Sequence, residues 1–134
     1  MSEKKPELID IIMCDDIRQE TGGKVSYMGV YVNKIIVPHL PFRLSKLCFM
    51  QKISKGIGQF KLKVELKSPS EIVGAVTFPE KITFSEGLGL GLIAIFESVT
   101  FKEAGNYKLQ TFFNEETDPS ITFLFAVELI PHSK

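Results

Sequence analysis

The sequence predicts an all-β fold, an antiparallel β-sandwich of seven to eight strands, on three observations. The first is Val99-Thr-Phe-Lys-Glu-Ala-Gly-Asn-Tyr-Lys-Leu109, which reads as a strand, a tight corner at Gly105, and a second strand entered by Tyr107. Immunoglobulin-like sandwiches place a tyrosine at this corner, its hydroxyl bonded to backbone a few residues upstream. Antibody domains carry a cysteine two residues after that tyrosine; here Leu109 holds the place, so the corner comes without the inter-sheet disulfide. The second observation is strict alternation, with Phe60, Leu62, Val64 and Leu66 interleaved by Lys61, Lys63, Glu65 and Lys67. That is a strand with one buried and one charged face. The third is regular punctuation by turn residues with no sustained helical period.

The strands follow in order. Leu8 to Cys14 is the first apolar run, and Asp15 to Glu20 is compatible with a helical turn before Gly22-Gly23. Val25 to Val32 comes next, and the proline-bounded loop Pro38 to Pro41 separates it from Lys46 to Ile53. Lys55-Gly56 turns the chain into the alternating Phe60 to Lys67 segment. Pro69-Ser70 and Pro79-Glu80 bracket Ile72 to Phe78. Leu90 to Phe101 is long, with a break near Ser98; Tyr107 to Asn114 and Ile121 to Leu129 complete the set, parted by Asp118-Pro119. Residues 1–134 read as one domain, with 1–6 and 132–134 as flexible tails.

A chain of 134 residues with 44% hydrophobic content is long enough for one true core. Sixteen basic and sixteen acidic residues cancel, so no global field draws it to nucleic acid or membrane. The charges are unevenly spread. Arg43 to Lys67 holds seven basic residues and one acid, while Ser68 onward holds nine acids and four lysines. Within the basic stretch, Lys52, Lys55, Lys61, Lys63 and Lys67 are the candidate partner-binding residues, for an acidic protein or for nucleic acid. Lysines guarding an edge strand give the same pattern.

Cys14 and Cys48 sit in apolar strand contexts and are expected to be buried, reduced thiols, which fits a cytoplasmic location. Leu88 to Phe96, the longest near-apolar run, is half the length of a membrane helix. Gly87, Gly89 and Gly91 alternate with leucines and lead into Ile93-Ala94-Ile95-Phe96 rather than a helix, so they read as a strand face that another sheet or chain approaches closely, not as a phosphate loop. A homo-oligomer is one form of that approach. His39 and His132 lie in a loop and a tail, with no zinc spacing and no nucleophile partner; no metal, cofactor or catalytic residue is expected.

Met13-Cys-Asp-Asp-Ile-Arg-Gln-Glu-Thr-Gly-Gly-Lys24, followed by Val25-Ser-Tyr-Met-Gly-Val-Tyr31, resembles a bacterial and phage-associated family of small β-sandwich proteins of unknown function. The resemblance continues thinly through Val37 to Pro41, Leu44 to Phe49 and Glu97 to Leu109. It implies a bacterial or phage origin and the same sandwich, and brings no catalytic or ligand residues. Asp15, Asp16 and Arg18, at the end of a buried strand, form a candidate loop site, with structural bracing as the competing role. Together these readings point to a non-enzymatic binding or scaffold module acting through a protein surface. A phage or mobile-element inhibitor of a host defence or nucleic-acid enzyme is the alternative.

Overall fold

A computed structural model describes residues 3–131. Eleven strands run β1 (Glu7–Glu20), β2 (Lys24–Tyr31), β3 (Lys34–Val37), β4 (Phe42–Ser54), β5 (Gly58–Phe60), β6 (Leu62–Lys67), β7 (Ile72–Thr77), β8 (Ile82–Phe84), β9 (Leu90–Phe101), β10 (Gly105–Phe113) and β11 (Ile121–Leu129). They form a four-stranded sheet β2-β1-β4-β9, a five-stranded sheet β3-β11-β10-β6-β7, and the small pair β5-β8. The order matches an immunoglobulin-like sandwich: β1, β4 and β9 take the places of strands A, B and E, and β11, β10 and β6 those of G, F and C. All ladders are antiparallel except β3 against β11, which runs parallel from Lys34↔Ala126 to Val37↔Leu129.

The two large sheets bury their facing sides against each other. Met13, Leu47, Phe49, Ala94, Phe96 and Phe101 from one meet Ile35, Val37, Val64, Leu66, Leu109 and Phe125 from the other in one cluster. Phe49 lies 6.0 Å from Phe125 across the interior. A second cluster, with Ile53, Phe60, Leu62, Phe84 and Phe113, closes the end covered by β5 and β8. Between the clusters Thr111 Oγ1 donates to Gln51 Oε1 at 3.0 Å, joining β10 to β4. The Gln51 Nε2 is buried with no partner among the described residues.

The tyrosine corner is as the sequence predicts. Tyr107 is fully buried, its hydroxyl donates to the Glu103 carbonyl at 2.8 Å, and its ring meets Phe101 edge-on at 5.3 Å. Gly105 turns with φ of 136°, a region side chains disfavour, and a Cβ there would stand 3.1 Å from Pro69 Cγ.

Several expectations are corrected. Asp15 to Glu20 is not helical: β1 continues to Glu20 because each residue from Asp16 finds a partner on β2, down to Glu20↔Lys24. The Gly22-Gly23 turn, with φ of 85° and 77°, makes that hairpin. Phe60 to Lys67 is two strands, parted where Lys61 N–H donates to Asn114 Oδ1 and its carbonyl accepts from Asn114 N–H. The break near Ser98 is a kink within β9, at a residue with φ of 58°. Strands β3 and β8, four and three residues long, are too short for a periodic signal. The start of the chain is no free tail from residue 3 on: Lys4 exchanges two backbone bonds with Ile57, and Pro6 is buried. Residues 132–134, with His132, lie outside the described part.

Candidate functional site

The five candidate lysines do not form one patch. Lys63 and Lys67 stand on the outer face of β6, on either side of Glu65 at 3.5 and 3.4 Å, both over the ring of Phe112. Lys61 pairs with Glu115 at 3.3 Å. Lys52 and Lys55 belong to β4 and the turn after it, on the other sheet. Local acids thus engage all three lysines of this region, Lys63 and Lys67 sharing the single Glu65, and Lys52 stands on the other sheet.

The loop site resolves into two clasps. The Tyr31 hydroxyl donates to Asp15 Oδ1, and Gly29, with φ of 65°, lies against the same carboxylate, where a Cβ would collide with it. Burial chiefly, then that carboxylate, holds the Tyr31 phenol well above its ordinary range. Asp16 accepts from Lys46 Nζ at 3.1 Å and Arg18 Nε at 3.4 Å. The bond from Lys46 is the main cause that lowers the Asp16 pKa, and Asp16 raises that of Lys46 in return. Asp15, Asp16 and Arg18 are therefore engaged with side chains of β2, β4 and β1 itself.

Three glycines do not line one strand face. Gly87 is in a turn with φ of 78° and open space around it; Gly91 alone sits within β9, where a Cβ would meet Met50 Sδ at 2.8 Å. Gly89, Leu90 and Gly91 line a shallow groove of about 380 Å³ with Ile9, Met50 and Lys52.

The largest feature is one the charge reading missed: the outward face of the four-stranded sheet. Alternation places it. Met13, Phe49, Ala94 and Phe96 point into the core, so their neighbours Cys14, Cys48, Ile93 and Ile95 point out. The ladders then align two apolar rows across the strands. One runs Val30, Cys14, Cys48, Ile95; the next, one residue pair along, runs Ile12, Met50, Ile93, with Val32 just beyond the end of β2. Val30 is 55% exposed, Val32 87% and Ile95 41%. Charged rows frame the band: Asp16, Lys46 and Glu97 on one side, Asp10 and Lys52 on the other. Within the band Cys14 and Cys48, directly opposite each other, are free and wholly buried among larger neighbours, so its exposed side chains are those of the outer strands. Burial pushes the Cys14 thiol up to about 11 and the Cys48 thiol upward as well.

The opposite face of the sandwich differs. Its exposed Ile36 and Leu124 stand singly among Lys34, Lys108 and Glu128, which is ordinary for a protein surface. The unbroken run Leu47-Cys48-Phe49-Met50 in β4 was the available signal for the band, since a strand apolar at successive positions is apolar on both faces.

No curated protein matches this chain. The sequence pattern of one protein family does, over residues 10–126, a span that takes in both clasps, the apolar band and the tyrosine corner. On that match the chain belongs to the family of unknown function DUF6941.

Proposed function

We propose that this chain is a non-enzymatic binding or scaffold module, of bacterial or phage origin, that acts through the outward face of the β2-β1-β4-β9 sheet. The observation that carries the reading is the two-row apolar band, which runs in register over all four strands, is exposed at Val30, Val32 and Ile95, and is rimmed by charge. A sheet that covers only one side normally turns polar residues to water on the other, and large apolar side chains gathered on such a face mark an interaction site. The Asp16–Lys46 pair and the Asp15–Tyr31 clasp tie β1 to β4 and to β2, and so keep the face rigid before any partner arrives.

Charge in the middle of the band tests this. Affinity capture from the native host is run with the wild-type chain and with a Val30→Asp, Ile95→Asp variant, both side chains being exposed and outside the core. Protein retained by the wild type and lost by a folded variant supports the reading. An unchanged set of captured proteins removes the face from consideration and returns attention to the lysines of β6.

A further inference from the structure

Resting on that reading of the face, we infer that its occupant is a second copy of this chain, packed sheet to sheet about a two-fold axis that runs along the strands between β1 and β4. The charges on the face decide both the partner and the axis. Asp10 and Asp16 lie on β1; Lys52 and Lys46 lie opposite them on β4. In a face-to-face dimer the two-fold lies in the interface plane, and two orientations present the whole face to itself. An axis across the strands lays each strand on its own copy, so Asp10 falls on Asp16 and Lys52 on Lys46. Like charges meet. An axis along the strands exchanges β1 with β4 and β2 with β9. Asp10 of one copy then falls on Lys52 of the other, and Asp16 on Lys46, each contact occurring twice. The same operation sets Val30 on Ile95 at both ends of one row and Ile12 on Met50 in the next, so that the exposed apolar side chains of one copy meet those of the other while Cys14 and Cys48 stay buried beneath them.

Among the described residues Lys52 makes no ion pair, and Asp10 accepts only from the Ile11 N–H next to it. Asp16 and Lys46 are already paired within the chain and would join a four-charge cluster. Two packed sheets stand about 10 Å apart, a distance that aspartate and lysine side chains together span. Four strands over the seven residues Asp10 to Asp16 span a footprint of about 450 Å² per copy, or about 900 Å² for the pair, an upper bound on the surface covered, taking strand spacing and rise from ordinary sheet geometry. That is below the range of permanent complexes and within that of reversible ones. A weak dimer that forms only at high protein concentration is therefore expected.

The test uses charge reversal and mixing. Sedimentation velocity is run on the full chain from ~5 to ~500 μM, the range in which weak complexes form. The wild type is expected to pass from monomer to dimer. Asp10→Lys sets two ammonium groups against each other at both contacts, and Lys52→Asp sets two carboxylates against each other there, so each variant alone is expected to dimerise at least ~10-fold more weakly. Mixed in equal amounts, the two variants restore opposite charges at both contacts and are expected to recover the dimer. Recovery on mixing cannot come from misfolded chains. A wild type that stays monomeric to the top concentration overturns the inference, as does a dimer indifferent to both reversals or not recovered on mixing. A monomeric wild type whose Val30→Asp, Ile95→Asp variant still loses a captured protein would leave the binding face standing and assign it to a different partner.

Discussion

Replacing Tyr107 by phenylalanine removes one oxygen and leaves the ring, which isolates what the corner's hydrogen bond is worth. The hydroxyl donates to Glu103 O at 2.8 Å from a fully buried side chain. A neutral bond of this kind contributes about 0.5–1.5 kcal/mol net, and stranding a buried carbonyl adds to the loss. Glu103 as a residue is only half-buried, which keeps that added loss moderate. The expected loss is about 1–2 kcal/mol. For a domain of this size that is a fall in Tm of roughly 3–8 °C. Urea titration is the better assay, because the midpoint should drop while its steepness, which tracks the surface exposed on unfolding, stays constant. Tyr107→Leu serves as the reference, since it also removes the contacts with Phe101 at 5.3 Å and Phe125 at 5.7 Å and should cost about 3 kcal/mol or more. A phenylalanine variant with the wild-type midpoint would show that packing alone holds the corner, and the hydrogen-bond argument would fail.

The Gln51–Thr111 bond makes a second prediction, because one of its partners already carries an unpaired buried N–H. Thr111→Val strands the Gln51 carbonyl oxygen as well and should cost about 1–3 kcal/mol, while adding Gln51→Leu should recover most of that loss; strictly additive losses in the double variant would refute it. A third concerns alkaline pH. The Cys14 thiol, raised by burial to about 11 from an ordinary 9.0, stays protonated in the folded chain at pH values where the unfolded chain has released its proton. Its contribution is thus complete below pH 9 and is lost as pH rises to 11, with Cys48, Tyr31 and Tyr107 shifted the same way. Melting curves should be level up to about pH 8.5 and fall steeply above it. The fall should be shallower in Cys14→Ala, and equal slopes in the two proteins would contradict the assignment.

Much of the architecture was legible because it rests on local signals. The corner is written in Gly105 and Tyr107, the core face of β6 in Leu62, Val64 and Leu66, and the turn between β1 and β2 in its paired glycines, though not the strand that runs up to it. Strands β3 and β8 were hidden because they exist only through their partners: β3 is held by β11, and β8 by β5. The lysines misled as a patch for a related reason. Spacing along the chain places Lys61, Lys63 and Lys67 near one another, but not Glu115, which reaches Lys61 from beyond β10, nor the sheet boundary that removes Lys52. The apolar band needs registers between four strands, and a single sequence holds only the hint in β4.

The parallel ladder between β3 and β11 bears on how the molecule comes to be made. Its partners are separated by 92 residues, from Lys34 to Ala126 and from Val37 to Leu129. During synthesis at ~5–20 residues per second, β3 leaves the ribosome several seconds before the strand that receives it exists. Ile35 and Val37, only 2% and 0% exposed at the end, spend that interval uncovered. The early hairpin can form at once from its own residues, but the second sheet cannot close around β3 until Ile121–Leu129 has emerged. Completion is therefore an event of the finished chain. Any interruption of translation before β11 yields a nascent protein whose β3 is apolar, strand-prone and unpartnered, a natural client for chaperones.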